Sequence, residues 1–176
     1  FSLPPYIIQN NQGEIAGYMP DLLRILSARV GLTPKFIRFD QLADVLTQVE
    51  QGNLEAAMGM IRTTERAQLF TFSAETMPLN MAIFARMNDQ RITSLSSLHG
   101  RRIASYHDYA MQKVIEQQLP DALLVMADNA VDMLQLVVRG QADAAIQELH
   151  SGQYMLRNYY LNNLEVKAYA RFQGGE

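Results

Sequence analysis

Apolar residues recur along this chain in short blocks divided by polar turns, and the spacing inside each block sets the element it predicts. Pro4 and Pro5 exclude helix near the start and favour an extended backbone over 1–11. "QNNQGE" then reads as a turn. From Met19, Pro20 and Asp21 open a helix carrying Leu22, Leu23, Ile25, Leu26 and Val30, with Gly31 just past its end. "KFIRF" alternates as a strand, Asp40 is placed to cap a second helix through Leu42, Val45, Leu46 and Val49, and Gly52 ends it. "LEAAMGMI" predicts a buried strand, Thr63 caps a short third helix with Arg66 on its first turn, and "LFTFS" returns to β character. The order β-α-β-α-β-α predicts a parallel sheet with helices on its faces.

"MPLNMAIFAR" is a further strand and "NDQRITSLSSLHG" a polar connector. "RRIASY", a helix over Met111 to Gln118 stopped by Pro120, "ALLVMA", a helix over Val131 to Val138 closed by Gly140, and "ADAAIQ" then repeat the α/β grammar. "VEQGNLEAAMGM" and "VVRGQADAAIQE" share a helix-Gly-x-x-acid-Ala-Ala pattern. Two lobes follow, 1–83 and 84–176, joined near Leu79 to Arg86.

Composition narrows the function classes. The 176 residues are 48% hydrophobic, ample for a packed core, and 15 Lys+Arg against 18 Asp+Glu give a net charge of -3, which argues against nucleic acid as a partner. With no cysteine there is no thiolate zinc site, catalytic thiol or disulfide framework. No run approaches the ~20 apolar residues of a membrane span. A start at Phe1 and an end at "RFQGGE" are what a processed or excised segment would show, with leader or anchors in its flanks.

The candidate chemistry rests on few residues. Arg66, behind Thr63 at a helix start, is placed to grip a carboxylate bidentately; the competing reading is a surface ion pair with Glu65 or Glu75. Glu148 follows an apolar strand at the carboxyl end where open α/β sheets place ligand groups, and would receive an ammonium or else merely favour a helix start. Tyr6, on the stiff Pro-Pro loop, either stacks on a ligand or plugs the nearby helix. "SYHDY" gathers Tyr106, His107, Asp108 and Tyr109 after a strand as a polar lining. His99, His107 and His150 match no zinc spacing, so no metal and no cofactor is expected. The ten methionines fall mostly on apolar faces and read as core. No nucleophile elbow, P-loop or dinucleotide fingerprint occurs.

"PPY", "GEIAGYMPDLL", "GNLEAAMGMIRTTERAQLFTFS", "ITSLSSLHGRRIAS" and "GQADAAIQE", in this order over nearly the whole chain, resemble the family 3 extracellular solute-binding proteins, bilobed "Venus flytrap" receptors of polar amino acids. The resemblance implies a type II periplasmic binding protein-like α/β fold, each lobe a mainly parallel sheet flanked by helices, with a ligand cleft between them and a first lobe incomplete without flanking segments. It implies that Arg66 takes the ligand α-carboxylate, Thr63 starts its helix, Glu148 stands where an aspartate usually receives the α-ammonium, Tyr6 covers the ligand, and Gly59 and Met60 offer backbone contacts.

The departures are specific. The small hydroxyl residue before the Thr-x-x-Arg turn is Ile61 or Arg62 here, the Gly-Ser/Thr after the first strand of the second lobe is Asp108-Tyr109, and an expected aromatic is Leu42. An aspartate there disfavours acidic ligands and suits a cationic side chain such as that of arginine, with Asp108 and Glu14 as its partners. The texture of "IRTTER" and of 119–166 is similar to the sensor branch of the family, in which the flytrap lies in the periplasm and is joined through a membrane helix to a histidine kinase or a cyclic-di-GMP enzyme. The expected role is then a non-enzymatic sensor of an amino acid-like small molecule, membrane-attached through the full-length protein, with a homodimer open. The alternatives are a free receptor of an amino-acid transporter, a cyclohexadienyl dehydratase-like enzyme with Glu148 as catalytic acid, and a sensor whose cleft stays empty.

Overall fold

The computed structural model describes residues 3–106 and 111–171. The chain divides into two compact units, Phe1–Thr76 and Met77–Glu176.

In the first unit a tight hairpin pairs β1 (Ile8–Gln9) with β2 (Ile15–Ala16), Ile8 opposite Ala16. Asn10 makes the turn: its Oδ1 accepts from Gln12 N and Glu14 N at 3.0 and 2.9 Å. Helices α1 (Tyr18–Arg29), α2 (Leu42–Glu50) and α3 (Thr64–Leu69) follow. The periodicity located all three, but the cap of α2 is Gln41, without a side-chain hydrogen bond, and not Asp40.

The parallel sheet expected here is absent from the described residues: 35–39, 54–61 and 70–73 join no ladder. Two causes are visible. Gly59 has φ +73°, a left-handed conformation that breaks any β run through 54–61. Ile37 is 52% exposed, so its segment lacks the half-buried pleated surface that favours a strand, and Leu69, the first residue of "LFTFS", is taken up as the last residue of α3.

The second unit carries one five-stranded sheet, ordered β5 (Leu123–Ala127), β4 (Arg102–Tyr106), β6 (Ala144–Glu148), β3 (Met81–Arg86), β7 (Leu164–Tyr169). β5, β4 and β6 run parallel, whereas β3 is antiparallel to both β6 and β7, so the sheet is mixed. β3, expected at the join of the lobes, lies inside this sheet. Both faces are buried. On one, Ile83, Ile103 and Ile146 pack with Leu98 of a 3-10 turn (Leu95–Leu98) and Ile115 of α4 (Gln112–Gln118). On the other, Phe84, Ala104 and Ala145 pack with Met133, Leu134 and Val137 of α5 (Ala130–Val138) and Met155 of α6 (Leu149–Asn158).

Charge closes one edge of this sheet. Asp143, just before β6, accepts from Arg102 N at 3.0 Å and from Arg102 Nη2 at 2.8 Å. Asp89 accepts from Arg91 Nη2 at 2.6 Å, while Arg86 Nη1 donates to Val137 O and Ala142 O at 2.6 and 2.9 Å. The Arg102 hydrogen bond, outweighing burial, holds Asp143 below the usual carboxylate range, and Arg91 does the same for Asp89.

Candidate functional site

In the first unit the candidate residues lie along two backbone segments. Tyr6 is buried at 7% exposure; its carbonyl accepts from Met19 N at 3.0 Å, and its ring meets Tyr18 edge-on, centroids 6.4 Å apart. That docking requires a glycine. At Gly17 (φ +111°) a Cβ would stand 2.7 Å from Tyr6 O. Gly59 approaches the same segment, since a Cβ on it would lie 2.9 Å from Ile7 Cδ1. Half-buried Met60 leads on to α3. Tyr6 is therefore packed against the start of α1, its ring in edge contact with Tyr18.

Thr63 caps α3 as expected, its Oγ1 accepting from Arg66 N at 3.2 Å. The half-buried Arg66 guanidinium folds back so that Nη1 donates to Ile61 O at 3.0 Å. Burial lowers its pKa, and Glu65 opposes that shift. Among the described residues no carboxylate stands within ion-pair distance of it, Glu65 and Glu75 included. The geometry leaves most of a planar, partly desolvated donor fork uncommitted, and such a fork matches a carboxylate. With six residues α3 adds little dipole, so the charge is the side chain's own.

In the second unit, the register brings the carboxyl ends of β4, β5 and β6 to one edge: Ala104 pairs with Ala145, and Tyr106 with Ala127. Parallel α/β sheets bind ligands beyond this edge. Glu148, 7% exposed, ends β6 and caps α6 through Oε2, which accepts from Ser151 N at 2.8 Å. Its other oxygen, Oε1, is buried and has no hydrogen-bond partner among the described residues. Burial pushes the Tyr106 hydroxyl up to about 12. His107, Asp108 and Tyr109 lie outside the described residues. Glu14, expected beside a cationic ligand, is an exposed hairpin-turn residue accepting from Asn10 Nδ2 at 3.0 Å. Among the described residues no cluster of His, Asp and Glu could hold a metal ion, and no helix is long and apolar enough to cross a membrane.

Ser105, the first residue of "SYHDY", was given no role of its own by the sequence. Its Oγ is fully buried without a partner among the described residues, and the signal was a hydroxyl on the buried face of an otherwise apolar strand.

The family model of the bacterial extracellular solute-binding proteins, family 3, matches residues 2–160. The chain belongs to that family. It is 26% identical over 162 residues to the virulence sensor protein BvgS of Bordetella bronchiseptica, covering 92% of this chain and 13% of that protein. The chain thus spans a small part of this relative's length. Its fold matches that of the Bordetella pertussis BvgS periplasmic VFT2 domain at a TM-score of 0.86 and 23% identity, over 96% of this chain and 72% of that one. An ancestral arginine-binding protein bound to arginine matches at 0.82 and 18%, over 98% and 76%. These likenesses place the chain among the type II periplasmic binding protein folds, α/β with a mixed, helix-flanked sheet.

Proposed function

We propose that this domain is the periplasmic ligand-sensing module of a membrane signalling protein, and that it binds an amino acid whose carboxylate is taken by Arg66 and whose ammonium is taken by Glu148. The observation that carries the reading is the buried Oε1 of Glu148, a carboxylate oxygen with no partner among the described residues. A buried carboxylate oxygen left bare costs free energy that an ammonium recovers. Arg66 supplies the complementary charge with most of its donors uncommitted. Thr63, Gly59 and Met60 shape the approach to Arg66, Tyr6 supplies an apolar cover, and Tyr106 with Asp108 and Tyr109 lines the side-chain end. A cationic amino acid such as arginine suits Asp108. In this reading the domain binds and does not catalyse, and its output is a histidine kinase or a cyclic-di-GMP enzyme joined through a membrane helix, with a homodimer as its assembly. Its similarity to a virulence sensor protein supports the sensing role.

The test is a thermal-shift panel of the common amino acids on the parent, Arg66→Ala and Glu148→Gln. A ligand at a hundred times its dissociation constant stabilises by about 2.7 kcal/mol, a rise of roughly 5–11 °C for a chain of this size. Gln at 148 keeps an oxygen for Ser151 N and removes the charge, so α6 stays capped while binding weakens; loss of one charged partner costs about 2–5 kcal/mol. A panel that leaves the parent unmoved, or a hit unaffected by both substitutions, refutes the proposal.

A further inference from the structure

We propose that Ser105 is a second acceptor for the ligand ammonium and makes the site selective for primary over N-methylated amines; this rests on the reading of Glu148 as the ammonium partner. Side chains alternate along β4 and β6, and Ile103 and Ile146 belong to one core face, while Ala104 and Ala145 belong to the other. Ser105 therefore shares the face of Ile103, and Glu148 that of Ile146, which is also the face of Met81, its partner across β3. With Ile103 beside Ala144, Ser105 and Glu148 stand at the same carboxyl edge of neighbouring strands, on the same face. Ser105 is 0% and Glu148 7% exposed, and Ser105 Oγ and Glu148 Oε1 both lack a partner among the described residues.

Two such atoms on one face are an unusual liability, because nearly all buried polar groups in folded proteins are hydrogen-bonded. A single donor-rich cation resolves both. A primary ammonium carries three N–H donors, so one goes to Glu148 Oε1, a second to Ser105 Oγ, and one is left for a backbone carbonyl. Each N-methyl group deletes a donor and adds bulk against these oxygens, which gives the selectivity.

The experiment uses Ser105→Ala and, to keep side-chain volume, Ser105→Cys. A hydroxyl that waits for ligand is a liability without it, so the melting temperature of the unliganded Ser105→Ala protein is expected to equal the parent's or exceed it by about 2–4 °C. For a panel hit on the parent, affinity is expected to fall about tenfold or more in both variants, the range of a lost hydrogen bond to a charged group, and the preference over its N-methyl counterpart to shrink by a similar factor. A lower melting temperature without ligand in both variants shows that the hydroxyl serves the fold and overturns the inference. So does a hit whose affinity stays within twofold of the parent's in both variants. A parent that no amino acid stabilises removes the Glu148 reading itself and this inference with it, an outcome separate from a bound ligand indifferent to Ser105.

Discussion

Gly152, on the first half of α6, is where the seat of Glu148 can be broken by adding one methyl group. A Cβ at this position would lie 2.1 Å from Phe84 Cζ, 2.5 Å from Cε2 and 2.8 Å from Cε1. Carbon atoms in contact sit about 3.5–4.0 Å apart, so the ring or the helix must move by more than an ångström. The ring has nowhere to go: Phe84 is fully buried among Met133, Leu134, Val137 and Met155. Over-packing of this kind costs about 1–3 kcal/mol and sometimes more, and the close approach points to the upper end. Alanine is the better helix former by about 1 kcal/mol, which offsets part of that. Gly152→Ala is then destabilising by a net ~2 kcal/mol, a fall of roughly 4–8 °C in melting temperature for a chain of this size. The cause is isolated by a double-mutant cycle with Phe84→Leu, followed by thermal and urea unfolding. In the Phe84→Leu background the ring is gone, so Gly152→Ala becomes neutral or stabilising, with a coupling of at least ~1 kcal/mol. Gly152→Ala as stable as the parent, or additivity in the cycle, refutes the reasoning.

Three further outcomes follow from the same contacts. Asp143 is held below its ordinary 3.8 first by the Arg102 hydrogen bond, so its contribution is present above that value and lost as pH falls through the lower folded value; Asp143→Asn lowers stability at neutral pH and flattens the acid limb in unfolding measured from pH 6 to 2. Tyr106 is pushed to about 12 from 10.0 by burial, so the folded state holds its proton longer and stability falls between those values; ultraviolet titration should find one tyrosine near the upper value, and Tyr106→Phe removes that step and this part of the alkaline decline. Thr63→Ala deletes the cap on Arg66 N and is expected to cost about 1 kcal/mol, read as a fall in melting temperature that Thr63→Ser largely avoids.

How far the sequence could be read depended on whether an element's partners were visible in its own residues. Helix α5 carries its own pattern, and its cap Asn129 accepts from Val131 N and Asp132 N at 2.9 and 3.0 Å. A strand borrows its fate from neighbours. The two stretches sharing Gly-x-x-acid-Ala-Ala show this: after Gly140, Ala144 and Ala145 are fully buried between β4 and β3 and become β6, while after Gly52, Ala56 stays exposed and no ladder forms. The acids differ as well. Asp143 is fixed by Arg102, a residue 41 positions away, whereas Glu55 is exposed. Spacing placed Thr63 and Glu148 at helix starts because each bonds a backbone N–H of the helix that follows it. It gave no role to Ser105, whose proposed one depends on a residue of the next strand, and could not show that the Glu148 carboxylate would be half satisfied.

That half satisfaction separates the two edges of the second unit's sheet. At one, Asp89 and Asp143 are buried yet bound to Arg91, Arg102 and backbone N–H groups, and Arg86 is used by two carbonyls, so the charges there are spent within the fold. At the other, Glu148 gives one oxygen to the start of α6, while its second oxygen and the Ser105 hydroxyl on the neighbouring strand lack a partner among the described residues. A carboxylate needed only as a cap would not have to be buried, since Ser, Thr and Asn cap as well without placing a charge out of water. In the proposed reading the two edges divide the work: the first sets the stability that holds the strands in register, and the second keeps polar atoms whose cost a ligand ammonium removes. Substitutions at Asp143 and at Glu148 therefore belong to different experiments, the one read in unfolding and the other in binding.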